Sequence, residues 1–226
     1  MMKQIKKFTY PGTNREMIEG KRHYVIGKEK LPSVTTILSA TQSEEKKASL
    51  ERWKQRVGEE QAEKIKNTSA NRGTIMHKLL EKHVLGEGYE DLTDLGQQAK
   101  PMAQMIVERG LSRMEAYYGT EVTLHYPELY AGQTDLVGIF DGKDSIIDFK
   151  QTNKPKQREW IGDYFIQLGA YSMAHDYVYG TNIEKAVVMM CSPEPYYQEF
   201  IIEGQELKDY KHQWLERVDQ YYREKK

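Results

Sequence analysis

The chain has 226 residues, 38% of them hydrophobic and 30% charged, a composition that builds a folded unit with a real core and excludes a disordered or fibrous chain. Its formal net charge of −1 means that a polyanionic partner has to be met by a local basic patch, not by the field of the whole molecule. The one cysteine, Cys191, rules out an intrachain disulfide and a four-cysteine zinc or iron–sulfur centre built from this chain alone.

Residues 8–30 read as short β pieces, with Pro11-Gly12 and Glu19-Gly20-Lys21 marking the turns of a small sheet or arm. LPSVTTIL (31–38) follows, where Ser33, Thr35 and Thr36 suit contacts to phosphate and suit a helix cap equally well. Thr41 and Glu44 stand at capping-box spacing and open a charged helix over roughly 42–67, with Leu50, Trp53 and Val57 on one stripe. After Arg72-Gly73-Thr74 a second helix is predicted from IMHKLLEKHVL and closed by Gly86. Ile75, Met76, Leu79, Leu80 and Val84 form its apolar arc, His83 points into that arc, and His77 and Glu81 sit just past its edge. A third helix covers about 97–118, followed by strands near 121–126, 130–140 and 144–150. A long helix (about 158–179), two strands (about 183–191 and 196–202) and a last helix (about 205–224) complete the chain. This order predicts an α+β fold, an α/β sandwich with a mixed central sheet flanked by helices. An N-terminal β arm and helical cap (1–68) and a core (69–226) are expected to form one structural domain.

The segment SIIDFK (145–150) has the composition of a strand, yet it sets Asp148 and Lys150 on the face of Ile146 and leaves Ile147 and Phe149 on the other. Asp141-Gly142 just before it is a favoured hairpin turn. A two-residue loop there places Asp135 opposite Asp148, with Cβ atoms about 4.5–5.5 Å apart. A four-residue loop pairs Asp135 with Lys150 instead, and a three-residue loop puts the acids on opposite faces. Two carboxylates at that spacing suit a hard divalent cation such as Mg²⁺. Lys150 cannot be a ligand while protonated, but it can hold a water and stabilise charge on a phosphoryl oxygen. A solvated Asp/Lys pair is the ordinary alternative; Asp135, in AGQTDLVGI with Leu136, Val137 and Ile139 marking an interior strand, weighs against it. Beyond the strand, Lys154, Lys156 and Arg158 follow with no acid between 149 and 158, which suits phosphate contacts. In the next helix Trp160, Tyr164, Gln167, Tyr171 and Val178 fall on one stripe, mostly core, where Gln167 and Tyr171 can orient the lysine or touch a phosphate.

RGTIMHKLLE, AGQTDLVG, IIDFK and QLGAY, in that order, resemble the PD-(D/E)XK nucleases, in particular the helical-histidine branch that includes exonucleases of mitochondrial genome maintenance and their bacteriophage relatives. The likeness runs from about residue 31 to 226. It implies a restriction-endonuclease-like core and Mg²⁺ or Mn²⁺ bound by Asp135 and Asp148, with His77 and the Phe149 backbone carbonyl as further ligands. It also implies that Lys150 is the catalytic lysine, that Gln167 and Tyr171 support the site and contact DNA, and that Glu121 is an acid upstream of the first aspartate. Taken alone, a helical histidine at a core edge is more often a hydrogen-bonded structural residue. Thr134 stands where the family name has proline, a replacement frequent in such enzymes. The implied activity is that of a metal-dependent DNA exonuclease preferring single strands or free ends, working in replication, recombination or repair beside other proteins of those processes. The 42–67 helix, with Lys46, Lys47, Arg52, Lys54 and Arg56, is the candidate to lie over the site. With no membrane-length apolar run, no secretory leader and no evident mitochondrial targeting segment, a monomer in the cytoplasm is expected, the host's if the chain is phage-encoded. Two rivals stand beside this reading: an endonuclease of the CRISPR-adaptation type lacking its iron–sulfur cluster, and a non-catalytic DNA-binding module.

Overall fold

The computed structural model describes residues 2–224. Near the N-terminus β1 (Arg15–Ile18), β2 (Lys21–Ile26) and β3 (Glu29–Pro32) form a three-stranded antiparallel arm. Its β1–β2 turn is Glu19-Gly20, both at positive φ (50° and 72°), as a two-residue hairpin of matching twist requires. The main sheet contains β4 (Met114–Tyr126), β5 (Tyr130–Phe140), β6 (Lys143–Gln151), β7 (Lys185–Cys191) and β8 (Tyr197–Glu203), in sequential order. Only β6 and β7 run parallel, and a parallel pair needs a long crossover, here supplied by α5 (Gly162–Tyr179). The fold is therefore α+β with a mixed five-stranded sheet.

Helices cover both faces of that sheet. Ile147, Phe149, Val187 and Met189 pack against Met76, Leu80 and Val84 of α3 (Glu59–Leu85) and Met102 and Ile106 of α4 (Asp94–Arg109). Ile146 and Val188 face the opposite layer, made by α1 (Val34–Ala40), α5 and α6 (Gly204–Arg223), with Phe165 and Trp214 fully buried. The alternation expected for SIIDFK thus holds, with each face meeting a different helical layer. Among the described residues no helix is long and apolar enough to cross a membrane.

Several boundaries differ from expectation. The helix predicted over 42–67 is two helices: α2 (Glu44–Val57) ends at Gly58, whose φ of 86° breaks the ladder, and α3 then runs unbroken through Arg72-Gly73-Thr74. At Gly73 the helix passes close to β6, since a Cβ there would lie 3.2 Å from Gln151 Cγ. Position 68/69 falls within this continuous helix. Ser43, not Thr41, caps α2, accepting from Lys46 N; Thr41 closes α1 by donating to the Ile37 carbonyl. The α2 stripe is only partly covered, with Trp53 and Val57 half-buried and Leu50 47% exposed, and His83 faces solvent instead of the α3 arc. The helix expected to reach 118 stops at Arg109, because Ala116, Tyr117 and Tyr118 bury themselves as strand β4. Trp160 lies in a short 3₁₀ turn before α5 and is 60% exposed, so the outer ends of that aromatic stripe meet water while Gln167 and Tyr171 are buried.

Candidate active site

Asp141 (φ 46°) and Gly142 (φ 74°) make the two-residue turn with both central residues in the left-handed region. Pairing runs Phe140–Lys143 to Leu136–Ile147, so the next position sets Asp135 opposite Asp148. Asp135 Oδ2 accepts the Phe149 backbone N–H at 2.5 Å. On the other flank Thr120–Leu136 and Val122–Thr134 are paired, which leaves Glu121 facing Asp135. Glu121 itself sits at φ 51°, and its carbonyl accepts from Gln133 Nε2 at 2.8 Å instead of completing the ladder. Three neighbouring strands therefore carry three acids side by side. Like charges opposed across strands repel unless something cationic lies among them.

The cations come from two directions. From α3, His77 Nδ1 lies 3.0 Å from Asp135 Oδ1, while its ring meets Phe149 edge-on. From β6, Lys150 Nζ ion-pairs with Asp148 Oδ2 and stands 4.9 Å above the Tyr164 ring. His77, Glu121 and Asp135 present ligand atoms all within 4.8 Å of one another, a donor set of oxygens and one imidazole that suits Mg²⁺ or Mn²⁺. Asp148 lies outside that trio. Gln167 donates to the Tyr171 hydroxyl at 2.8 Å, and both line the same cleft as the acids.

Burial and crowding disturb every carboxyl here. Desolvation, helped by the Asp135 charge, pushes Glu121 up to about 7. Desolvation also raises Asp148 to about 6, against the pull of Lys150. Burial would raise Asp135 too, but His77, Lys150 and the Phe149 N–H hold it below the usual carboxylate range. Burial disfavours a charged His77, yet Asp135 outweighs it and carries the imidazole up to about 9. Neighbouring acids whose affinities for protons are driven apart within one cleft mark it as a candidate functional site.

The cleft, about 930 Å³, runs between α3 and the arm. His77, Glu121, Asp135, Asp148, Lys150, Gln167 and Tyr171 all line it, and so do Ser33 and Thr35. Ser33 Oγ also caps α1, accepting from Thr36 N at 3.0 Å, whereas Thr35 is exposed. The basic run does not join them. Lys154 points to solvent, the Lys156 backbone exchanges two hydrogen bonds with Gln198, and Arg158 pairs with Glu206 while lying over Phe165. These bonds tie the run to the β8 side of the molecule, and the basic residues that line the cleft besides Lys150 are Arg15, Arg22 and Lys78. Nothing in the arm's sequence marked its arginines. Arg72 was likewise unmarked: its buried guanidinium donates to Gln151, Gln98 and Asn153, locking α3, α4 and the end of β6 together.

No protein-family model matches the chain. It is 28% identical over 212 residues to mitochondrial genome maintenance exonuclease 1 of Homo sapiens, a match covering 87% of this chain and 59% of that protein. The Xenopus tropicalis protein of the same name is 29% identical over 211 residues, covering 86% and 58%. The chain thus spans about three fifths of the length of the curated relatives it matches. A solved structure of a putative exonuclease from Eubacterium rectale overlaps 67% of this chain and 66% of that one, with a TM-score of 0.49 and 14% identity. By sequence, this chain is similar to exonucleases named for mitochondrial genome maintenance, the group that its motifs resemble.

Proposed function

We propose that the chain is a divalent-cation-dependent exonuclease that hydrolyses DNA phosphodiesters, taking single strands or free ends. The observation that carries this reading is Asp148 opposite Asp135 with Lys150 beside it, flanked by His77 and Glu121 in one open cleft. The names of the relatives support the choice of exonuclease.

His77, Glu121 and Asp135 would hold the ion, joined by Asp148 when Lys150 turns to substrate. When bound, Mg²⁺ or Mn²⁺ supplies a more acidic water and neutralises the scissile phosphate. The protein's own groups set up the rest. The Phe149 N–H fixes the Asp135 carboxylate, aiming Oδ1 at His77. His77 has to give up its proton before its nitrogen can serve as a ligand. Asp148 keeps Lys150 protonated against burial, so the ammonium can donate to the attacking water or to a phosphoryl oxygen as charge develops. Arg15 and Arg22 offer positive charge to the flanking phosphates.

The test is digestion of linear DNA labelled at the 5′ or 3′ end, and of circular single- and double-stranded DNA, with Mg²⁺, Mn²⁺ or EDTA. Cleavage of linear strands alone, abolished by EDTA, is expected. Asp148→Ala and Lys150→Ala should each lower the rate by about 10²-fold or more with the circular dichroism spectrum retained. Near-full activity in either variant would overturn the assignment, and binding without cleavage in the unaltered chain would favour a DNA-binding module.

A further inference from the structure

A second groove, about 790 Å³, lies beside the cleft. Its wall includes Met17, Lys21, Arg22, Thr35, Ser39 and Glu224. Two of these, Arg22 and Thr35, line the cleft as well, so the hollows meet where the arm touches α1. The Arg22 carbonyl accepts both the Ser33 N–H and the Thr36 hydroxyl, each at 3.0 Å, which pins β2 to the start of α1 and leaves the Arg22 side chain between the two hollows.

The second groove combines cations, hydroxyls and an exposed methionine. Met17 and Arg22 are cross-strand partners and share one face of the arm, and Met17 is 66% exposed. Thr35 and Ser39 are one turn apart on the exposed side of α1, whose other side buries Val34, Ile37 and Leu38. Lys21 and Arg22 are exposed, and among the described residues neither joins an ion pair, whereas Arg113, Lys185 and Arg217 all do. Among the described residues Glu224 is the only acid on the wall. Unneutralised cations and hydroxyls follow a phosphate backbone, and a flexible exposed methionine offers an apolar surface to a base.

We infer that a nucleic-acid strand occupying the cleft continues past Arg22 and Thr35 into this second groove, which is a subsite for single-stranded DNA remote from the reacting phosphate. The inference rests on the nuclease reading only for placing nucleic acid in the cleft, and it can be measured without cleavage. Fluorescence anisotropy in EDTA, with labelled oligothymidylates from a length that fills the cleft alone to progressively longer ones, is the experiment. Affinity should climb with length beyond what the cleft covers. In Lys21→Glu/Ser39→Glu the long-to-short affinity ratio should fall about tenfold, and the salt slope for the long strand should drop by about 0.7 for each phosphate that the groove no longer neutralises. Lys21→Gln, which alters only an exposed charge, should give the same direction more weakly and guards against a folding artefact. No length-dependent gain in the unaltered chain, a gain retained in the double variant, or equal binding of polyglutamate would each overturn the subsite. Cleavage of the short strand with no length gain sinks the subsite and leaves the nuclease reading standing; a length gain in a chain that cuts nothing does the reverse.

Discussion

At the scale of single residues, Glu121 is where charge and backbone are both under tension, with φ at 51° and a carboxyl raised from 4.5 to about 7 by burial and by Asp135. Below pH 4.5 it is protonated in folded and unfolded chains alike. As pH rises the unfolded chain releases its proton first, so folding stability is lost between about 4.5 and 7 and stays lost above. Asp148, raised from 3.8 to about 6, acts in the same sense over that lower window. His77, raised from 6.5 to about 9, contributes stability that is complete below 6.5 and gone above about 9. Without metal these three groups all weaken the fold as pH rises. Glu121→Gln should therefore melt higher than the unaltered chain at pH 8 in EDTA, by on the order of 2 kcal/mol, and melt with it at pH 4. Saturating Mg²⁺ should reverse the order at pH 8, since an ion that binds only the native carboxylate site stabilises the unaltered chain. An equal difference at both pH values would show that the carboxyl is not strained by its charge.

At the scale of elements, the β5–β6 hairpin fixes which side chains meet, and its turn does so through backbone conformation. Gly142 sits at φ 74° with only the Glu115 carboxylate, at 3.9 Å, near a would-be Cβ. Gly142→Ala thus meets open space, and its cost is that of the left-handed conformation, about 1–2 kcal/mol, read as a melting-point drop of roughly 2–4 °C per kcal/mol. An unchanged melting point would mean that the turn is not conformationally constrained. This hairpin was legible in the sequence because Asp-Gly favours a tight turn, but three loop lengths remained open, and it is the two-residue one that opposes Asp135 to Asp148. Glu121 facing Asp135 depended on a second pairing, Tyr126 with Tyr130 across Pro127-Glu128-Leu129, whose turn signal is weaker. The helix boundaries were obscured for a different reason: Gly58 and Gly73 look alike in sequence, yet the backbone turns to φ 86° at the first and runs on as helix through the second. Lys154, Lys156 and Arg158 lie outside the cleft; a run of positives does not reveal which side of a sheet it serves. His77 was marked by resemblance, and its hydrogen bond to Asp135 depends on how α3 crosses the sheet, which periodicity does not encode.

At the scale of the whole molecule, the cleft lies between bodies of unequal strength. The main sheet is buried on both faces, whereas the arm has a core of Tyr24 and Leu31 against Ala131 of β5. Its remaining ties include the two bonds that the Arg22 carbonyl accepts from the start of α1, the Ser33–Ala131 bridge, a bond from Arg15 to Gln133, the Glu29 carboxylate accepting from Glu128 N, and the Thr13–Thr123 hydroxyl pair. A three-stranded sheet with so little apolar cover is marginal alone, so the arm should open locally while β5 to β7 stay folded. Native-state hydrogen exchange measures this directly: the amides of Tyr24 and Val25 should exchange through a lower-energy opening than those of Ile147 and Val188. Tyr24→Ala should lower the arm's opening free energy by about 3 kcal/mol and leave β6 and β7 unmoved. Equal protection in arm and main sheet, or a loss in Tyr24→Ala spread evenly over both, would show one cooperative unit instead. Because Arg15, Lys21 and Arg22 all ride on the arm, the same opening loosens both hollows at once. An oligonucleotide bound in EDTA should therefore slow exchange in the arm selectively, as a ligand that binds only the closed state must.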